Sequence, residues 1–434
     1  MDKLVTKCVL VPLISVMVAC GGASERTRER QQPEKPVVET IIASKFYLEH
    51  SGSMFGYDGQ ANESQFKQTL TSLVQDFKAV TRRDSTAISI VNDQVYNYPG
   101  TFTDLVQARS IFQNKVGNPA FTDFKAIFDT ILGDLKTDEV AFLFSDLIYS
   151  GENSQGKLPQ KIMDEAEQLC RTVFNRHADD ISVLIIKLQS DFNGSYYPYN
   201  APNSGKKVNG SRPYYVMLFA KNKTMEKFMR DNKYEVIRDF EELLGFQQKL
   251  FFSRSNLLSD PYYTILQNDS DEKGTFTKGD RDLNKRGLHA IDNVDAPHRS
   301  GEKLTISVAV SFPEGALNTS QITDPNNYTV ESLKDGFKIK GITPIKGKDG
   351  LTHKIVLEAQ KSARGDRDVK IKFKRNLPPD WVTVTNSDDD SDIRSPEFDT
   401  QTFGFGSIVK GINDAYQTTL NSDNYFTLAL KLKE

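Results

Sequence analysis

The sequence is poor in the residues that most often carry chemistry. Of 434 residues, five are histidine, three cysteine and one tryptophan. The histidines, His50, His177, His289, His298 and His353, are scattered with no pair at metal-ligand spacing, which argues against a zinc enzyme. There is no G-x-S-x-G, no P-loop and no dinucleotide fingerprint. Charge of one sign is lacking too: 55 Lys and Arg stand against 58 Asp and Glu. No global field therefore favours nucleic acid or an anionic lipid surface. Long apolar runs are absent as well, and the run at 8–19 is too short to span a bilayer as a stable helix.

That run follows Lys3 and Lys7 and reads as a signal peptide over 1–19. It closes in Met17-Val18-Ala19-Cys20 followed by two glycines, which resembles the bacterial lipobox. The resemblance implies cleavage before Cys20 and lipid on its thiol, and so a lipid-anchored chain of the bacterial cell envelope, at the outer membrane. The periplasmic and surface sides both stay open. Residues 20–38 are charged, contain two prolines and show no apolar period, as expected of a flexible tether. With Cys8 removed and Cys20 acylated, only Cys170 remains, so no intrachain disulfide can form. Cys170 lies on the apolar stripe Met163, Ala166, Leu169, Cys170, Val173 and Phe174, and is expected to be buried.

About four hundred residues remain, enough for two domains. Over 39–254 short apolar runs alternate with helix-period segments, which predicts an α/β fold with a doubly wound, mostly parallel sheet. The segments IIASKFYL, STAISIVND, VAFLFSD, SVLIIKLQ and YYVMLFA read as strands. The segments at 63–83, 122–135 and 158–176 read as amphipathic helices. Residues 255–303 are polar and read as a linker or an insertion. Over 304–434 short alternating runs predict a β-rich, sandwich-like C-terminal domain, interrupted by helical spacing at 405–420.

In an open α/β sheet, loops at the carboxyl ends of strands gather on one face and form ligand sites. The first strand stops at Glu49-His50-Ser51-Gly52-Ser53. Two serine hydroxyls flanking a glycine that permits the bend can point together at a hard cation. The stretch resembles the D-x-S-x-S motif of von Willebrand factor A (vWA) domains, whose opening acid and two serines form a metal-ion-dependent adhesion site. The resemblance covers about half of the chain. It implies two further ligands, a threonine in a loop ahead of a helix, matched by Thr122, and an aspartate ending the fourth strand, matched by Asp146. It also implies Mg²⁺ (or Mn²⁺) held by Glu49, Ser51, Ser53, Thr122 and Asp146, with an open position for an Asp or Glu of a protein partner. Two departures stand out. Glu49 replaces the opening Asp, and its extra methylene either reaches the metal directly or pushes the cation from the serine cradle. Leu147 replaces the glycine that often follows the final aspartate.

Tyrosines recur in the segments that follow strands on this face: Tyr57, Tyr149, Tyr196, Tyr197 and Tyr199. Tyrosine offers a rigid contact surface with a hydrogen-bonding tip, so these five are a candidate partner-binding rim. The expectation is thus a membrane-tethered protein-binding module without catalytic residues. Its alternatives are an envelope metal-dependent hydrolase and a structural assembly factor with a non-functional cation site. The acidic turn with Asp388, Asp390 and Asp392 has calcium-loop spacing but lacks the glycine and the later glutamate, and reads as a solvated turn.

Overall fold

The computed structural model describes residues 42–433, apart from short stretches such as 59–63, 81–85, most of 106–115, 150–155, 281–285, 361–365 and 418–422. The signal segment, Cys20 and the tether lie outside the described residues. Among the described residues no helix is long and apolar enough to cross a membrane.

The first half is built on seven strands: β1 Ala43–Glu49, β2 Thr86–Val91, β3 Val95–Asn97, β4 Glu139–Ser145, β5 Ile181–Tyr196, β6 Lys206–Lys221 and β7 Phe246–Phe252. Their order across the sheet is β3-β2-β1-β4-β6-β5-β7. β4 is buried along its whole length, as its unbroken apolar run requires of a central strand. Alternate residues face opposite ways: Phe142 and Phe144 enter one apolar core, Ala141 and Leu143 the other.

The expectation of a mostly parallel sheet is corrected. Only β1 with β2 and β1 with β4 run parallel. β2 with β3, β4 with β6, β6 with β5 and β5 with β7 are antiparallel. The reasons are two short connections, 92–94 between β2 and β3 and 197–205 between β5 and β6. A parallel return needs a crossover of about a dozen residues or more, and connections this short allow only hairpins.

Helices cover both faces of this sheet. α1 Gln65–Val80 buries Phe66, Leu70, Leu73, Val74 and Phe77 in the first core. α2 Phe102–Leu105 is a single turn whose Leu105 joins the same core. α3 Phe124–Asp134 and α4 Pro159–Asn175 cover the other face. Asp123 caps α3 by accepting from Ala126 N at 3.0 Å, and Pro159 opens α4, both sound helix starts. Cys170 on α4 is buried. α5 Asn222–Arg230 and the single turn α6 Glu235–Arg238 return to the first face.

The second half holds two further sheets. β8 Tyr263–Ile265, β9 Thr275–Lys278 and β10 Ala290–Asp295 come from 255–303, so that polar stretch supplies strands to both sheets. β11 Thr305–Val310, the short α7 Thr319–Thr323, β12 Tyr328–Ser332, β13 Phe337–Pro344, β14 His353–Ala359 and β15 Arg367–Lys374 follow. After β15 the chain leaves for α8 Asp380–Thr385, the two-residue pair β16 Asn386–Ser387 and β17 Thr402–Phe403, and α9 Phe405–Gln417. It comes back as β18 Asn424–Leu432. The sheets are β12-β15-β18-β10-β9 and β13-β14-β11-β8. Ile306 and Val308 of one and Val369, Ile371 and Leu428 of the other share an apolar core.

The helical spacing at 405–420 is explained by where α9 goes. It packs not on the β-rich sheets but in the core with α4, beside Ala166, Cys170 and Val173. A Cβ on Gly411 would stand 2.3 Å from the Glu167 carbonyl oxygen, so glycine is what permits this approach. Tyr416 Oη donates to Ile181 O at 2.6 Å, and Phe405 stacks on Tyr215 at 4.5 Å. The α/β layer is therefore completed by residues from the far end of the sequence.

Candidate cation site at the ends of the first and fourth strands

β1 and β4 are neighbours, with Leu48 opposite Phe144, so Glu49 and Ser145 emerge side by side at the carboxyl ends. The loop after β1 is pinned at its start: His50 N donates to Val91 O at 2.8 Å and Gly52 N to Pro119 O at 3.0 Å. The second bond ties it to the segment ahead of α3, where Asp123 N donates to Asn92 O at 2.9 Å. Thr122 is thereby carried to Glu49.

Glu49 is 2% exposed and both of its oxygens are used. Thr122 Oγ1 donates to Oε1 at 2.7 Å, and Ser145 Oγ donates to Oε2. Ser145 Oγ in turn accepts from Leu147 N at 2.8 Å. The Ser51 and Ser53 hydroxyls are 3.2 Å apart. Asp146, also 2% exposed, accepts from Ile148 N at 3.1 Å through Oδ1. Its Oδ2 is buried without a hydrogen bond of ordinary geometry, although the Ser53 hydroxyl lies near enough to favour the charged form.

Burial, then the charge of Asp146, pushes Glu49 up to about 8 against the opposing hydroxyls of Ser145, Thr122 and Ser51. Burial also raises Asp146. Leu147 adopts φ +51°, the left-handed region that favours glycine, with its side chain fully buried.

This donor set fits a hard divalent cation. Hydroxyl oxygens with a carboxylate are the ligands Mg²⁺ takes, and a buried carboxylate oxygen with no hydrogen bond is the atom a cation would satisfy. Among the described residues no three His, Cys, Asp or Glu side chains converge, so a cation here would rest chiefly on hydroxyls.

The tyrosine rim is corrected. Tyr57 and Tyr196 are 2% and 1% exposed and belong to the core. Tyr57 Oη donates to Pro213 O at 2.6 Å, and Tyr196 Oη donates to Asp390 Oδ2 at 2.7 Å. Tyr149, Tyr197 and Tyr199 are half-buried. Tyr149 stacks on Phe124 and Tyr199 on Phe403. Tyr197 alone of the five lies against the site loop, its ring 2.8 Å from where a Cβ on Gly52 would be.

Sequence reasoning missed Ser145 and Arg212, and read Asp390 as part of a solvated turn. Ser145 carried a signal in its place beside Asp146 at the end of an apolar strand. Arg212 is 2% exposed, its guanidinium 4.8 Å from the Tyr196 ring centre and 3.9 Å from that of Phe398. Asp390 is 3% exposed and also accepts from Tyr199 N at 3.0 Å, so the acidic turn is not wholly solvated. Arg212 has no local pattern that betrays it, and the spacing around Asp390 does not tell that it is buried. No family model matches this chain, and neither a curated protein nor a solved structure matches it.

Proposed function

We propose that the chain is a lipid-anchored binding protein of the bacterial cell envelope, with the α/β half a vWA-like domain. In this reading it captures a protein partner through an Asp or Glu that completes the coordination of Mg²⁺, or Mn²⁺, at Ser51, Ser53, Thr122 and Asp146. The observation that carries it is the unsatisfied, buried Oδ2 of Asp146 at the same strand ends as the two serines and Thr122. With Glu49 engaged by Thr122 and Ser145, its role is to hold Thr122 in place instead of meeting the metal. Asp146 is then the chief negative ligand, and the cation keeps enough charge to favour an incoming carboxylate. The strand order β3-β2-β1-β4, with an acid ending the fourth strand, supports the vWA-like reading of this half.

One alternative has an observation of its own. Both Glu49 oxygens are already satisfied by hydroxyls, a network that could stand without a cation in a purely structural assembly factor. Calorimetric titration of Mg²⁺ and Mn²⁺ decides between them. The protein should span 39–434, because α9 completes the α/β layer. Saturable heat that disappears in Ser51→Ala and Asp146→Ala is the expected result. No heat in any of three equally folded proteins would leave the structural reading.

A further inference from the structure

Four of the five candidate site residues are buried and Ser53 is half-buried, although they stand at the open end of a sheet. Glu49, Ser51, Thr122 and Asp146 are each less than one-tenth exposed. The β5–β6 hairpin lies against the loop that carries the two serines. The two strands pair with each other throughout, from Ile181 with Lys221 to Tyr196 with Lys206. β4 accompanies β6 only as far as Tyr215, opposite Ser145, and β7 accompanies β5 only as far as Leu188. Residues 189–196 and 206–214 therefore run on past the carboxyl ends of β1 and β4, an arm of about 25 Å at the usual rise per residue.

The arm lies on the site loop with glycine at each crossing. A Cβ on Gly194 would stand 2.6 Å from Gly56 Cα, and one on Gly56 would stand 2.3 Å from the Phe192 ring. Tyr197 covers Gly52 in the same way. With no further strand neighbour among the described residues, the outer arm is held from behind by the segment that joins α8 to α9. Asp390 accepts from Tyr196 Oη and Tyr199 N, Lys206 Nζ donates to Ser391 O at 2.7 Å, and Gln189 Nε2 donates to Asp399 O at 2.7 Å. Arg212 donates to Phe398 O, and the Phe398 ring meets that of Tyr196 edge-on at 4.8 Å.

We infer that residues 189–213 are a cover over the site loop, latched shut by the 388–399 segment through Asp390, and that a carboxylate-bearing partner reaches the site when this latch opens. The inference rests on the proposed function only for what the partner meets beneath the cover. The cover itself is testable without metal.

Hydrogen exchange read by mass spectrometry on the 39–434 protein tests it. Asp390→Asn weakens the latch, and Gly194→Ala pries the arm from Gly56. Both should raise exchange of the 50–57 amides about tenfold while β4 stays protected. Unchanged exchange at 50–57 in both folded variants overturns the cover. If β4 also loosens, Tyr196→Phe, which removes one hydroxyl, decides: faster exchange confined to 50–57 supports the latch, and none refutes it. Mn²⁺ association rates separate the two readings. Absence of Mn²⁺ binding in every variant, with exchange raised, leaves the cover and removes the cation site. Binding no faster in Asp390→Asn shows that the arm does not gate the site.

Discussion

The ammonium of Lys67 on α1 lies 2.5 Å from Asp58 Oδ1, and neither side chain is more than 1% exposed. Lys67 Nζ also donates to Leu105 O at 2.6 Å. Burial lowers the lysine, and the attraction of Asp58 opposes that only in part. Lys67→Met removes the cation that faces a buried carboxylate and should cost about 3–5 kcal/mol. Lys67→Met combined with Asp58→Asn should recover most of that loss. Denaturant unfolding of the three proteins measures it, and equal losses in the single and double variants would contradict it.

Asp146→Asn should separate stability from binding. Its carboxylate is buried with an unsatisfied oxygen and repels Glu49, so neutralising it relieves a cost of about 1–3 kcal/mol. In chelator the variant should melt at a higher temperature than the parent. With Mg²⁺ added, the parent should gain stability and the variant should not. A variant that melts lower in chelator would show that Asp146 is held by contacts that favour its charge.

Leu147 offers a test of backbone strain. Leu147→Ala and Leu147→Gly both delete a fully buried side chain, and each should cost about 2–5 kcal/mol. Glycine ordinarily destabilises more than alanine, by about 0.5–1 kcal/mol. At φ +51° the order should invert, because the left-handed region costs an alanine about 1–2 kcal/mol that glycine does not incur. Glycine proving worse than alanine would mean the position carries no such strain.

His353 sets an acid limit on the β-rich half. Its ring is 2% exposed, meets Phe312 edge-on at 5.3 Å and leaves Nε2 without a hydrogen bond. Burial lowers it from 6.5 to about 4. The fold therefore prefers the neutral ring: stability is whole above pH 6.5 and falls progressively as pH drops toward 4, by on the order of 1–3 kcal/mol. His353→Gln should flatten that part of the curve, measured by thermal melts between pH 4 and 7. An unchanged slope would assign the acid sensitivity to other groups.

Much of the site could be read from local pattern because its residues sit at junctions. Glu49, Ser51 and Ser53 follow an apolar run, Thr122 precedes a capped helix and Asp146 ends the most apolar strand, and backbone topology alone brings such positions to one edge. The arm could not be read this way. Its outer residues are polar and alternate as any exposed hairpin would, and the glycines at 56 and 194 meet only in the tertiary fold. Tyr57 and Tyr196 looked like rim residues because both follow apolar runs, yet the arm and the 388–399 segment bury them. The strands within 255–303 escaped notice because β9 is an edge strand with little apolar surface, and β8 is three residues long. The destination of α9 is equally invisible locally, since an amphipathic face does not say which core it joins.

That destination changes how the molecule would bear load. The chain passes from the α/β layer to the β-rich sheets after β7, back after β15, and over again after α9. β18, the strand it ends on, lies in the middle of its sheet between β15 and β10. The halves are laced together instead of being strung in series. Pulled between residue 42 and residue 433, the protein should rupture in one event of high force, since neither half can extend without tearing α9 from α4 or β18 from its neighbours. Tension applied across these two residues would then be carried by a single mechanical body.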